Sequence, residues 1–83
     1  MIQVLYFAGL REALGLSREE VVLPGGSGPV TALMAHLVAR GEPWTALATA
    51  KNLRVAVNQS MAPMHAVVSD GDEVAFFPPV TGG

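Results

Sequence analysis

The chain contains no cysteine. Disulfides, thiol nucleophiles, thiolate metal sites and persulfide chemistry on this chain are thereby excluded. The same absence fits a cytoplasmic protein. Charge is also scarce, at 14% of residues, where an ordinary soluble domain carries about 25%. The 5 basic residues, Arg11, Arg18, Arg40, Lys51 and Arg54, are scattered. No basic stripe is available to neutralise phosphates, so no nucleic-acid partner is expected. His36 and His65 have no carboxylate or second histidine at ligand spacing, so no metal site is expected either. The apolar start of the chain lacks the basic segment of a targeting signal and runs directly into Arg11 and Glu12. Residues 21–39 carry no Asp, Glu, Lys or Arg and approach membrane-spanning length. Pro24, Gly25, Gly26, Ser27, Gly28 and Pro29 break that stretch in its middle, so neither a spanning helix nor a membrane partner is expected.

What is present is a core-forming composition. Apolar residues make up 51% of 83 residues, and the net charge is −2. Disordered chains show the opposite balance, and a chain this short fills one core. Residues 2–8 are rich in β-formers and apolar at nearly every position, which predicts a strand inside a sheet. Residues 10–14 predict one or two helical turns stopped by Gly15, and residues 19–23 a second strand. Val30, Leu33, Met34, Leu37 and Val38 follow the helical i, i+3, i+4, i+7, i+8 spacing. Pro29 suits the first helical position, and Arg40 with Gly41 suits the end. A short helix is expected from Pro43 to Leu47. Arg54 to Asn58 alternate, with Val55 and Val57 inward, and residues 58–63 read as turn formers. Val67 and Val68 suggest a short strand and Asp70-Gly71 a turn. Residues 73–77 predict the last strand, stopped by Pro78 and Pro79. The order β-β-α-β-β describes a small α+β domain with one sheet and one main helix.

The usual catalytic signatures are missing. Ser17, Ser27, Ser60 and Ser69 occur in turn contexts without a nucleophile elbow. Asp70, Asp72 and Glu73 are better explained as a turn with a solubilising edge than as an acid pair or a cation site. The glycine-rich stretch 25–28 lacks the lysine and the spacing of a phosphate loop and reads as a flexible loop.

The last six residues, Pro78-Pro79-Val80-Thr81-Gly82-Gly83, stand out. With 9 glycines in 83 residues, a Gly-Gly end arises by chance roughly once in a hundred chains. Two prolines stiffen the root and two glycines free the tip. Such an arm can thread a channel too narrow for any side chain. It would present a carboxylate that becomes an acyl donor once a partner adenylates it. A frayed, functionless terminus is an equally good account of the tail taken alone.

The run Asp70-Gly71-Asp72-Glu73-Val74-Ala75-Phe76-Phe77-Pro78-Pro79-Val80-Thr81-Gly82-Gly83 resembles the C-terminus of the small subunits of molybdopterin synthase, the MoaD type. Val4-Leu5-Tyr6-Phe7-Ala8 with Leu10-Arg11-Glu12 resembles that family's opening, and Val55-Ala56-Val57-Asn58-Gln59 its middle strand. The resemblance implies a β-grasp, ubiquitin-like α+β fold, with a mixed sheet packed on one main helix over residues 1–77 and a flexible tail over 78–83. It implies a sulfur carrier with no permanently bound cofactor and no catalytic group of its own. An E1-like enzyme would adenylate the Gly83 carboxylate with ATP and Mg²⁺, and a sulfur donor would convert it to a thiocarboxylate. Gly82 and Thr81 would complete the inserted tail. The large synthase subunit, two copies with two of this chain, would receive the sulfur into cyclic pyranopterin monophosphate. Phe76, Pro78 and Val80 are expected to meet that partner. A carrier for thiamine or tRNA thiolation, and a ubiquitin-like protein modifier or binding module, are the alternatives.

Overall fold

The computed structural model describes residues 1–50 and 52–78. The chain order is β1 (Ile2–Tyr6), α1 (Gly9–Leu14), β2 (Arg18–Val21), β3 (Ser27–Pro29), α2 (Val30–Val38), α3 (Ala46–Thr49), β4 (Arg54–Val57), β5 (Ser60–Ala62), β6 (Val67–Ser69) and β7 (Glu73–Phe77). Five strands form one sheet in the order β2-β1-β7-β4-β5, and β3 pairs with β6 in a separate ribbon. Only β1 and β7 run parallel among the paired strands of that sheet. Parallel neighbours need a long crossover, and the intervening chain supplies it, including α2. This is the β-grasp arrangement.

Alternation in β1 explains how the sheet meets the helix. Ile2, Val4 and Tyr6 are buried, while Gln3 and Leu5 lie on the other face and are half-buried. Val30, Leu33 and Leu37 of α2 are fully buried, and Met34 and Val38 pack partly against the same core. The whole helical stripe expected from spacing is therefore the packed face. Val55, Val68, Val74 and Phe76 complete the core from the sheet and ribbon. Gly15 ends α1 in the left-handed conformation, at φ 77°, where a Cβ is costly.

Several details depart from the sequence reading. Pro29 is the extended residue before α2, not its first helical one. Gly28 and Pro29 are engaged in β3, opposite Val68 and Val67. The first helical amides are satisfied from outside: Val30 N–H donates to the Ala66 carbonyl and Thr31 N–H to that of Met64, which replaces a side-chain cap. The glycine-rich stretch thus leads into a strand. Residues 60–62, expected as turn, form β5. They fold back through Asn58 and Gln59, both at positive φ (50° and 69°), the geometry of a tight two-residue hairpin turn. The apolar stretch 21–39 is divided among β2, β3 and α2, and no helix among the described residues is long and apolar enough to cross a membrane.

Candidate functional site

The tail is mounted on the central strand. β7 lies between β1 and β4, with Phe77 opposite Arg54. Phe7 N–H donates to the Phe76 carbonyl at 3.2 Å. The chain therefore leaves the sheet held from both sides, and Pro78, half-buried, is the last described residue. Val80, Thr81, Gly82 and Gly83 lie outside the described residues.

The expectation that Phe76 faces a partner is corrected. Phe76 is 0% exposed and stacks on Tyr6, with ring centroids 6.4 Å apart. Its parity matches Val74 on its own strand, and its partners across the register are the core residues Tyr6 and Val55. The outer face instead carries Ala75 and Phe77. Ala75 is only 8% exposed, because a methyl in mid-sheet is covered by its cross-strand neighbours. Leu5 and Ala56 flank it in register, and Met61 lies beyond Ala56. Phe7, immediately after β1, is 44% exposed and Met61 60%. The tail root therefore emerges at the edge of an apolar sheet face. A groove of about 540 Å³ lies at the β4–β5 edge of the sheet, lined by Leu53, Arg54, Val55, Met61, Ala62 and Met64 among others.

Behind the root, a polar cluster ties four segments together. The Tyr6 hydroxyl donates to Glu19 Oε2 at 2.8 Å, and Trp44 Nε1 donates to the same oxygen at 3.3 Å. Arg40 Nη1 donates to both carboxylate oxygens, at 2.8 and 3.0 Å. Its guanidinium also lies 4.9 Å from the Trp44 ring centre. Burial pushes the Tyr6 phenol well above its ordinary range, and accepting by the Glu19 carboxylate pushes it further. Burial pushes Glu19 upward too, but hydrogen bonds from Arg40, Tyr6 and Trp44 together outweigh it and hold the carboxyl below its usual value. At neutral pH the cluster is a neutral phenol donating to an ionised, fully engaged carboxylate. It holds the fold and has no spare proton acceptor.

The acidic turn is structural as expected. Asp72 accepts from the Ser69 amide at 2.8 Å and from Asn58 Nδ2 at 3.1 Å. Those bonds lower its pKa, the Ser69 amide contributing most. Asn58 in turn accepts from the Glu73 amide at 3.0 Å. Gly71 sits at φ 90°, as the Asp70-Gly71 turn requires. Among the described residues, no three His, Asp or Glu side chains are grouped to hold a metal ion.

Among the described residues, those on the sheet face at the root supply shape and apolar surface, with Phe7 and Met61 exposed. The pattern of the ThiS family matches residues 4–83. The chain belongs to the ThiS family. It is 43% identical over 83 residues to a molybdopterin synthase sulfur carrier subunit of Escherichia coli, with all of both chains covered. The protein of the same name in Haemophilus influenzae is 40% identical over the same full length. Among solved structures, a putative molybdopterin converting factor subunit 1 from Pyrococcus furiosus superposes with a TM-score of 0.76 at 29% identity. That match covers 95% of this chain and 97% of the other. The family and the β-grasp fold implied by the terminal motifs are thus shown. The Glu19 cluster had no local signal, because its members lie 13 to 25 residues from Glu19.

Proposed function

We propose that this ThiS-family chain is the sulfur carrier subunit of a molybdopterin synthase, and that Gly83 is its acyl end. The observation that carries the reading is the end-to-end match to sulfur carrier subunits of that name. The geometry is consistent with it: β7 delivers Pro78, the last described residue, beside an apolar sheet face. The Gly83 carboxylate attacks the α-phosphorus of ATP on an E1-like enzyme, with Mg²⁺ held there, and pyrophosphate leaves. A sulfur donor then displaces AMP, leaving a thiocarboxylate. The large subunit takes the tail, with Thr81 and Gly82 in its channel, and passes the sulfur to cyclic pyranopterin monophosphate. Pro78 and Val80 line the entry, and Phe77 takes the contact first expected of Phe76. Two small and two large subunits make the assembly, in the cytoplasm.

Intact mass spectrometry tests this reading. After incubation with the E1-like enzyme, ATP, Mg²⁺ and a sulfur source, the chain gains the mass difference between sulfur and oxygen, located on Gly83 by fragmentation. A variant with one residue added after Gly83 gains nothing, since its former acyl carbon is now an amide. Equal reaction of the extended variant, or no gain by the natural chain with competent partners, sinks the carrier reading. An amide-linked product on lysine would favour a protein modifier.

A further inference from the structure

Strand register sorts the outer face of the sheet into three rows. Farthest from the tail are Glu20, Gln3 and Glu73. Next come Arg18, Leu5, Ala75, Ala56 and Met61, one from each strand. Nearest the tail are Phe77 and Arg54, with Phe7 hydrogen-bonded alongside. The apolar patch at the tail root is therefore bracketed by two exposed arginines, Arg18 on β2 and Arg54 on β4. Both carboxylates of these rows, Glu20 and Glu73, lie at the opposite end. With strands ~4.8 Å apart and a rise of ~3.3 Å per residue, the Arg18 and Arg54 Cα atoms are about 16 Å apart.

These arginines do little for the fold. Unlike Arg40, neither pairs with a carboxylate among the described residues. Exposed charges at the rim of an apolar patch act on encounter and orientation more than on the strength of the final contact. The tail fixes where the carrier meets its partner but leaves rotation about the tail free. A face with cations at one end and carboxylates at the other selects one rotation.

We infer that Arg18 and Arg54 are specificity residues of the docking face. They seat against carboxylates that flank an apolar pocket beside the tail channel of the large subunit. The inference rests on the sulfur-carrier reading above and names the partner chemistry that reading lacks: an acidic rim, spaced to match two cations about 16 Å apart.

The test is association kinetics with the purified large subunit at about 50 and about 500 mM NaCl, using the full chain. The natural chain should associate about tenfold more slowly at high salt. Arg18→Glu/Arg54→Glu should associate about tenfold more slowly at low salt and lose most of the salt dependence, with an unchanged melting curve. Phe77→Ala should keep the salt dependence but dissociate faster. If the double arginine variant matches the natural chain while Phe77→Ala weakens binding, the docking face stands and the electrostatic inference is overturned. If the natural chain does not bind the large subunit, the functional reading fails and this inference falls with it.

Discussion

Replacing Glu19 by alanine should destabilise the fold far more than replacing Tyr6 by phenylalanine, although the two side chains share one hydrogen bond. Among the described residues, Glu19 is the one side-chain acceptor for three donors: the Tyr6 hydroxyl at 2.8 Å, Arg40 at 2.8 and 3.0 Å and Trp44 Nε1 at 3.3 Å. Tyr6 is 1% exposed, so its hydroxyl cannot turn to water when the carboxylate is removed. Stranding a buried donor costs about 1–3 kcal/mol. The Arg40 contact adds less, since its side chain is 32% exposed and solvent screens it. Glu19→Ala should therefore cost about 2–4 kcal/mol. At about 4–8 °C per kcal/mol for a domain of this size, the melting point falls by roughly 8–32 °C. Tyr6→Phe removes a donor and strands nothing, because the carboxylate keeps Arg40 and Trp44; its cost is about 1 kcal/mol. The pH dependence has a definite sign. The folded-state pKa of Glu19 is lowered, so its contribution is present above the unfolded carboxyl pKa and is lost as pH falls through the folded value. The stability gap between the natural chain and Glu19→Gln, measured by urea unfolding, should narrow in acid. Equal costs for Glu19→Ala and Tyr6→Phe, or a gap that widens in acid, would refute the reasoning.

Two further substitutions test the turns. Gly71→Val places a β-branched residue at φ 90° and should cost about 1–2 kcal/mol. No heavy atom lies within 4 Å of the added Cβ, so the positive φ is the source of the expected loss, and an unchanged melting temperature would count against it. Gln59→Gly relieves a left-handed residue at φ 69° and should raise the melting point by about 4–8 °C. A lower melting point in calorimetry would show that the Gln59 side chain holds the hairpin in some other way.

The elements legible in the sequence are those whose period carries phase. In α2 the stripe of Val30, Leu33 and Leu37 can face only one way. In β4, polar Arg54 marks the outer parity and leaves Val55 and Val57 inward. β7 gives no such help within the run Val74-Ala75-Phe76-Phe77, where both faces are apolar, so alternation alone does not say whether Phe76 or Phe77 faces outward. The missing mark was one residue earlier. Glu73 shares parity with Ala75 and Phe77, and a charged residue on a strand labels the solvent face. β3 and β5 were hidden for another reason. Gly28, Pro29 and Ser60 have poor strand propensity, and these strands exist because partners already in the core, such as Val55 and Val68, offer them a ladder.

The position of the tail on β7 explains why its length should be constrained. A tail on an edge strand could shift by fraying one ladder. Phe77 is tied to β4, and the Phe76 carbonyl accepts from Phe7, so the root has neighbours on both sides and its height above the sheet is set by the core. From Phe77 to Gly83 there are six residue steps, which span at most about 22 Å at ~3.3–3.6 Å each. A partner that holds Phe7, Phe77 and Leu5 against its surface must therefore place its reactive centre within that distance of the contact. On the proposed sulfur-carrier reading, the docking face fixes the start of a ruler and Gly83 its end. Loss of one residue would leave the carboxyl about 3.5 Å short, while reaction geometry tolerates errors of only about 1 Å. The fold need not contribute any group to the chemistry for this to work; it has to hold the starting point still, which is what the buried Phe76 and Tyr6 pair achieves next to the half-buried Phe77.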